Sequence, residues 1–409
     1  MHGATSRRRP SDATVAMLGR LVAFPTVSRD SNLELIHYVR GYLADHGVAS
    51  RLTHNSEGNK ANLFATIGAG EGGLLLSGHS DVVPVAGQAW ASDPFVLTER
   101  DGRLYGRGTC DMKGFIAVVL AKVPMLAARA GGSPFHIALS FDEEIGCKGV
   151  GHLIADLGEQ DVSPAGCIVG EPTDMNVVVG HKDGTAWRCT VEGREVHSSL
   201  APHDVNAIEY AARLIVKIRE IAERLEREEP RHSGYEIPFS TLQTGVIEGG
   251  QASNIVPRHC SFRFDVRTLP ATESAKLIAE IRGYAERDLL PAMRRVAPDA
   301  AIRIEQLGRV PGFAIDPEAP LVRHVQRAAR SNAAPGHVAF GSEAGLFQEA
   351  AIPSVICGPG SIAQAHQPDE YVTLDQLARC EAFIDRLADT PWRRLKGMPH
   401  VRTRNISTY

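Results

Sequence analysis

The chain has 409 residues, too many for one simple core, so one large domain with an insertion, or two domains, is expected. It is 43% hydrophobic and 22% charged with a formal charge of −4, which argues for a globular chain and against a basic nucleic-acid or membrane-surface binder. Seven cysteines, an odd number with no CxxC pair, argue against a disulfide framework or a zinc knot and for reduced thiols in a cytoplasmic setting.

Arg7, Arg8 and Arg9 are followed by Ser11 and Asp12, not by the apolar run of a secretory leader. Residues 12–24 and 32–46 have the periodicity of helices, and Ser11 or Asp12 supplies the first with a cap. No stretch approaches the ~20 apolar residues of a membrane span. Short apolar runs at 74–77, 135–141 and 167–170 read as buried strands, with helical patterns at 114–130 and 149–157 between them. This alternation predicts an α/β sheet with helices on its faces.

The pattern changes near residue 181. Residues 185–192, 240–248 and 258–266 alternate like half-exposed strands, while 205–227 and 274–290 read as helices. The α/β style resumes with a helix at 319–332, a strand at 353–357 and a helix at 374–388. The expected organisation is a discontinuous main domain, 1–180 and 299–390, interrupted by an α+β lid-like domain, 181–298. Residues 391–409 read as a basic, solvated tail.

Acids and histidines collect where predicted strands end, the edge at which open α/β sheets bind ligands. His79 and Asp81 follow the strand 74–77, and a period of two points both the same way. A metal-binding imidazole usually passes its second N–H to a carboxylate, so His79 fits a ligand and the Asp81 carboxylate its support. Asp111 closes the glycine-rich run Gly106–Arg107–Gly108 and opens an apolar helix. Asp142, Glu143 and Glu144 follow the strand 135–141. Adjacent glutamates there can divide labour, one binding a metal and one taking a proton from water. Glu171 precedes Pro172, which biases it to an extended backbone. His366 lies in the loop Ala365–Glu370, after Gly358–Pro359–Gly360.

Each cluster read alone is ordinary: an N-cap, a solvated acidic turn, a loop histidine. Together they supply imidazole and carboxylate ligands for divalent ions of zinc's kind. With Asp111 shared between two ions, each ion would have about four ligands, counting a shared water. Two divalent charges are then balanced by three carboxylates and a hydroxide, a neutral set suited to a partly buried site.

These five segments, in this order, resemble the dinuclear-zinc family of aminoacylases, deacetylases and carboxypeptidases, over residues 12–390. Phe340–Gly341–Ser342–Glu343 and Cys357–Gly358–Pro359–Gly360 are most similar to its deacetylase members. The resemblance implies a metallopeptidase-type mixed sheet flanked by helices, with an inserted ferredoxin-like lid and dimerisation domain. It implies two zinc ions, with cobalt as a substitute. His79 and Glu171 would hold one ion, Glu144 and His366 the other, and Asp111 would bridge them. Glu143 would be the general base, Asp81 the carboxylate that orients His79, and the Asp111–Met112 peptide would be cis.

In the inserted domain, Gly193–Arg194–Glu195–Val196–His197 matches the segment whose histidine reaches a partner's site in a homodimer. His197 would there stabilise an oxyanion. Asn254 and Arg267 fall in the family's substrate-contact segments, and an arginine can grip a carboxylate with two hydrogen bonds. Glu343 is a candidate to read a basic substrate side chain. The implied activity is hydrolysis of the amide of a small N-acyl amino acid. A two-metal phosphoesterase would need a cluster of basic residues, and only Arg107 and Lys113 lie in these motifs. A catalytically silent relative would have lost the base or a ligand, and the full set is present.

Overall fold

A computed structural model of the chain describes residues 8–129, 132–390 and 392. The expectation for 391–409 therefore lies outside the described residues, apart from Trp392. The chain divides into two compact units.

The first unit comprises Met1–Gly180, Ala314–His337 and Ser342–Tyr409. Its sheet runs, side by side, through Ser50–His54, Ala61–Ile67, Phe135–Ser140, Leu74–His79, Gly166–Pro172 and Ser354–Gly358. The last four of these are mutually parallel; Ala61–Ile67 pairs antiparallel with Phe135–Ser140, and Ser50–His54 antiparallel with Ala61–Ile67. Every residue of these four strands is buried, as strands covered on both faces must be. Because they are parallel, they deliver their C-terminal ends to one edge of the sheet.

The helix Lys113–Ala127 packs against Asp12–Val22, Leu374–Asp389 and the sheet, which explains why it is apolar around its whole circumference. Two glycines make that packing possible. A Cβ on Gly114 would stand 2.4 Å from the Thr109 carbonyl oxygen, and one on Gly170 would stand 2.1 Å from the Phe115 ring. Ser11 caps the first helix, accepting from the Thr14 N–H at 3.3 Å.

The second unit comprises His181–Phe313 and Val338–Gly341. Its strands lie in the order Thr241–Gly249, His259–Thr268, Asp183–Glu192, Ala301–Val310, all neighbours antiparallel. Helices Ala207–Glu228 and Ser274–Tyr284 connect them in the βαββαβ order of a split, ferredoxin-like unit. Its own core includes Trp187, Leu214, Ile218, Phe262, Phe264 and Ile281.

The boundary expected at 298 stops short. Ala301–Val310 pairs with Asp183–Glu192 along its whole length and completes the second sheet, so the unit runs on to Phe313. Its strict alternation of half-buried and exposed residues gave no apolar run to mark it as a strand. Ser50–His54 and Ala61–Ile67 likewise went unread. The helix expected over 274–290 passes through a π-turn at Ala285–Leu289 and continues to Val296.

Candidate metal centre

The parallel strands set the site. His79 is the last residue of Leu74–His79 and lies opposite Ser140 in register. Ser140 ends the neighbouring strand, and the next turn carries Asp142, Glu143 and Glu144. Glu171 is at the end of Gly166–Pro172. His366 comes in the loop after Ser354–Gly358. Asp111 sits two residues before the helix Lys113–Ala127, and the peptide bond that joins it to Met112 is cis.

Among the described residues, two groups of donors form. His79, Asp111 and Glu171 make one, and Asp111, Glu144 and His366 the other, with the donor atoms of each within 4.8 Å of one another. Asp111 serves both with different oxygens. Its Oδ1 is 3.0 Å from His79 Nε2, and its Oδ2 is 3.3 Å from His366 Nε2. His366 Nε2 also lies 3.0 Å from Glu144 Oε2.

The charges are unbalanced without cations. Burial alone would lower His79, but its hydrogen bond to Asp111 and the charges of Glu171, Asp111 and Glu143 raise it well above the usual range. His366 is pushed up to about 10 by its hydrogen bonds to Asp111 and Glu144. Burial, then the charge of Asp111, raises both Glu144 and Glu171. Burial would also raise Asp111, but its two histidine partners hold it below the carboxylate range. Glu144 Oε1 and Glu171 Oε1 are buried and have no hydrogen-bond partner among the described residues. Orphaned carboxylate oxygens beside paired imidazoles are what a pair of divalent ions would satisfy, so the residues fit a dinuclear centre.

Glu143 belongs to no donor group. It keeps a partial opening to solvent, and burial on its other sides, with Glu144, Glu343 and Asp111 nearby, raises its carboxyl well above the usual range against the pull of His79. Its Oε1 accepts from the Cys147 thiol at 3.3 Å. A carboxylate near the two donor groups and outside both is placed for proton transfer.

Asp81 works differently from the expectation. His79 Nδ1 donates to the main-chain carbonyl of Asp81 at 2.9 Å, while the Asp81 carboxylate stands 3.6 Å away. The carbonyl therefore fixes the ring and leaves Nε2 facing the centre. The carboxylate instead accepts the N–H groups of Glu143, at 3.1 Å, and Glu144, at 3.3 Å, and the Ser28 hydroxyl at 2.8 Å. The chain turns at the strand end and aims the Asp81 side chain at the acidic turn.

Glu343 also departs from expectation. It is 1% exposed, and the Ser77 hydroxyl donates to its Oε2 at 3.4 Å. Burial pushes its carboxyl up to about 7, against the hydroxyls of Ser140 and Ser77. A carboxyl enclosed beneath the strands is not a reader of a substrate ammonium.

Sequence reasoning missed Glu370 and Arg107. Glu370 accepts from the main-chain N–H groups of Gly108, Cys110 and Asp111 at 3.1, 2.9 and 3.0 Å, and from Arg107 Nη1 at 2.7 Å. It clamps the loop that carries Asp111. The signal was present, since both residues lie inside the matched segments.

His197, Asn254 and Arg267 lie in the second unit. His197 is exposed at the start of the short helix Ser198–His203 and bridges Ile255, which brings Asn254 to the same place; Ser198 N–H donates to the Asn254 carbonyl at 2.9 Å. His197 Nδ1 accepts from Ser199 N–H at 3.3 Å, so the neutral ring carries its proton on Nε2. Arg267 Nε donates to Asp265 at 2.9 Å.

An α/β sheet presenting two carboxylate–imidazole triads and an unligated glutamate defines a metal-dependent amidohydrolase. The profile of Peptidase family M20/M25/M40 matches residues 75–390, and the chain belongs to that family. Acetylornithine deacetylase of Myxococcus xanthus is 36% identical over 381 residues, 91% of this chain and 95% of that protein. Acetylornithine deacetylase of Edwardsiella ictaluri is 32% identical over 382 residues, 91% of this chain and 96% of that protein. The M20 family metallo-carboxypeptidase Sso-CP2 of Sulfolobus solfataricus shares the fold, with a TM-score of 0.72 at 18% identity over 92% of this chain and 99% of its own.

Proposed function

We propose that this chain removes the acetyl group of N2-acetyl-L-ornithine, giving L-ornithine and acetate for arginine biosynthesis, as a cytoplasmic homodimer with two zinc ions, or cobalt, per subunit. The observation that carries the hydrolytic reading is the sharing of Asp111 between two triads with Glu143 beside them. The relatives named above support the choice of substrate. All seven cysteines are free and buried, in keeping with a reducing compartment. Among the described residues no helix is long and apolar enough to cross a membrane.

Two divalent ions, when bound, would polarise the acyl carbonyl and bring the pKa of a water toward ~7. His79 and Glu171 would hold one, Glu144 and His366 the other, and Asp111 both. Glu143 takes the proton of the attacking water and returns it to the leaving amine. Asp81 holds the turn that carries Glu143. His197 of the partner subunit donates its Nε2 proton to the developing oxyanion. Asn254 meets the polar groups of the substrate backbone, and Arg267 its carboxylate.

The test is hydrolysis of N-acetyl-L-ornithine beside N-succinyl-diaminopimelate, N-acetyl-methionine and a dipeptide, on protein of defined zinc or cobalt content. A kcat/KM for acetylornithine at least about tenfold above the rest, a gap of ~1.4 kcal/mol, lost on chelation, is the expected result. Preference for another amide would transfer the same chemistry to a desuccinylase, aminoacylase or dipeptidase. Inertness of the metal-replete protein toward every amide would end the reading.

A further inference from the structure

Lys60 is a buried lysine outside every segment considered so far. Its side chain is 8% exposed, and its ammonium donates to the Asp142 carboxylate and to the main-chain carbonyl of Ser28. Both contacts touch the machinery that carries Glu143. Asp142 immediately precedes Glu143 and adopts a left-handed φ of 55°, costly for a residue with a Cβ. Ser28 donates its hydroxyl to Asp81 at 2.8 Å, and Asp81 receives the N–H groups of Glu143 and Glu144.

These contacts close a ring. It runs from Lys60 to Asp142, along the main chain to Glu143 and Glu144, across to Asp81, to Ser28 and back to Lys60. Lys60 is itself fixed, because its N–H donates to Asn55 Oδ1 at 3.0 Å. Three consecutive acids beside Asp81 would repel one another and splay the turn. The Lys60 ammonium, paired with Asp142, opposes that repulsion, as does the charge of Lys148.

We infer that Lys60 is a positioning residue for Glu143, holding the Asp142–Glu144 turn in register with the Asp81 carboxylate. The inference rests on the proposed role of Glu143 as base. It assigns Lys60 no contact with substrate or ions. Displacement of a reacting group by about 1 Å can cost about 100-fold in rate, so a loosened turn is felt in kcat.

The test uses the full-length, metal-loaded enzyme and the amide that the wild type turns over best. Lys60→Met should lower kcat about 10- to 100-fold, with KM within about threefold. Calorimetric titration with zinc should still give two ions per chain. Lys60→Met also leaves Asp142 unpaired and lowers Tm, so Lys60→Met/Asp142→Asn is made beside it. In the double variant Tm should recover while kcat stays low, because the tie to Ser28 is gone. Recovery of kcat together with Tm would reduce Lys60 to a structural ion pair and overturn the inference. So would a wild-type kcat in Lys60→Met, or loss of zinc in proportion to kcat. Glu143→Gln is the control for the underlying reading. If it stays active, the base assignment falls; if it is inactive while the Lys60 variants keep full rate, only the positioning role falls.

Discussion

Glu370 accepts the main-chain N–H of Asp111 at 3.0 Å, although the two residues are 259 positions apart. The carboxylate shared by both donor groups therefore sits in a loop held by a residue far along the chain. Replacing Glu370 by Ala leaves three buried N–H groups without their acceptor and the Arg107 guanidinium without its carboxylate, with only Gln88 and the Gln367 carbonyl still accepting from it. A loss of about 3–5 kcal/mol is expected in urea unfolding. Less than about 1 kcal/mol would mean that water replaces the clamp.

Sharing of Asp111 makes metal content diagnostic. Asp111→Ala should abolish stoichiometric binding of both ions, whereas His366→Ala should weaken one site and leave His79, Asp111 and Glu171 to hold the other. Atomic emission on dialysed protein reads the two outcomes. Equal metal content in both variants would contradict the bridge.

Glu143 stands outside both donor groups, so Glu143→Gln should keep both ions and lose ~10²–10⁴ in kcat. Steady-state rates with parallel metal analysis check this. A rate near wild type would move the base elsewhere.

His197→Ala should lower kcat about 100-fold, with a smaller change in KM, if its Nε2 proton meets the oxyanion. Mixed dimers of His197→Ala and Glu143→Gln chains should regain part of the activity, each chain supplying what the other lacks. Proven hybrids without recovery would remove the cross-subunit role.

Acid sensitivity has a named contributor in the second unit. Glu280 is lowered to about 2, first by its hydrogen bond to Arg224 against the effect of burial, and then by Lys217. A depressed carboxyl stabilises the fold above its unfolded pKa, near 4.5, and that contribution disappears as pH falls toward 2. Discounted for solvent screening at a 29% exposed side chain, it amounts to about 1 kcal/mol. The urea-midpoint difference between wild type and Glu280→Gln should shrink from pH 6 to pH 2.5. A constant difference would assign the loss to packing.

The strand-end rule made much of this centre legible. His79, Asp142–Glu144 and Glu171 are local to short apolar runs, and such runs can be read without a fold. The donor groups also contain Asp111 and His366, where the matched motifs, not periodicity, supplied the assignment. The supports were illegible. Lys60 reaches Asp142 across 82 positions, and Glu370 reaches Asp111 across 259. No periodicity encodes such pairs. Acids are usually exposed, so the burial of Glu343 could not be foreseen. The strand Ala301–Val310 was missed because its half-buried and exposed residues alternate without an apolar run, and only pairing with Asp183–Glu192 defines it.

The order of the ligands along the chain gives the two donor groups different histories during synthesis. His79, Asp111 and Glu171 are all made before the second unit begins at His181, as are the paired strands Leu74–His79 and Gly166–Pro172. His366 arrives only after the second unit has been made and the chain has returned to lay Ser354–Gly358 beside Gly166–Pro172. A translation product cut short before that return could assemble at most the first ion site. The second site thus closes last, once the chain has come back from the second unit to the first sheet.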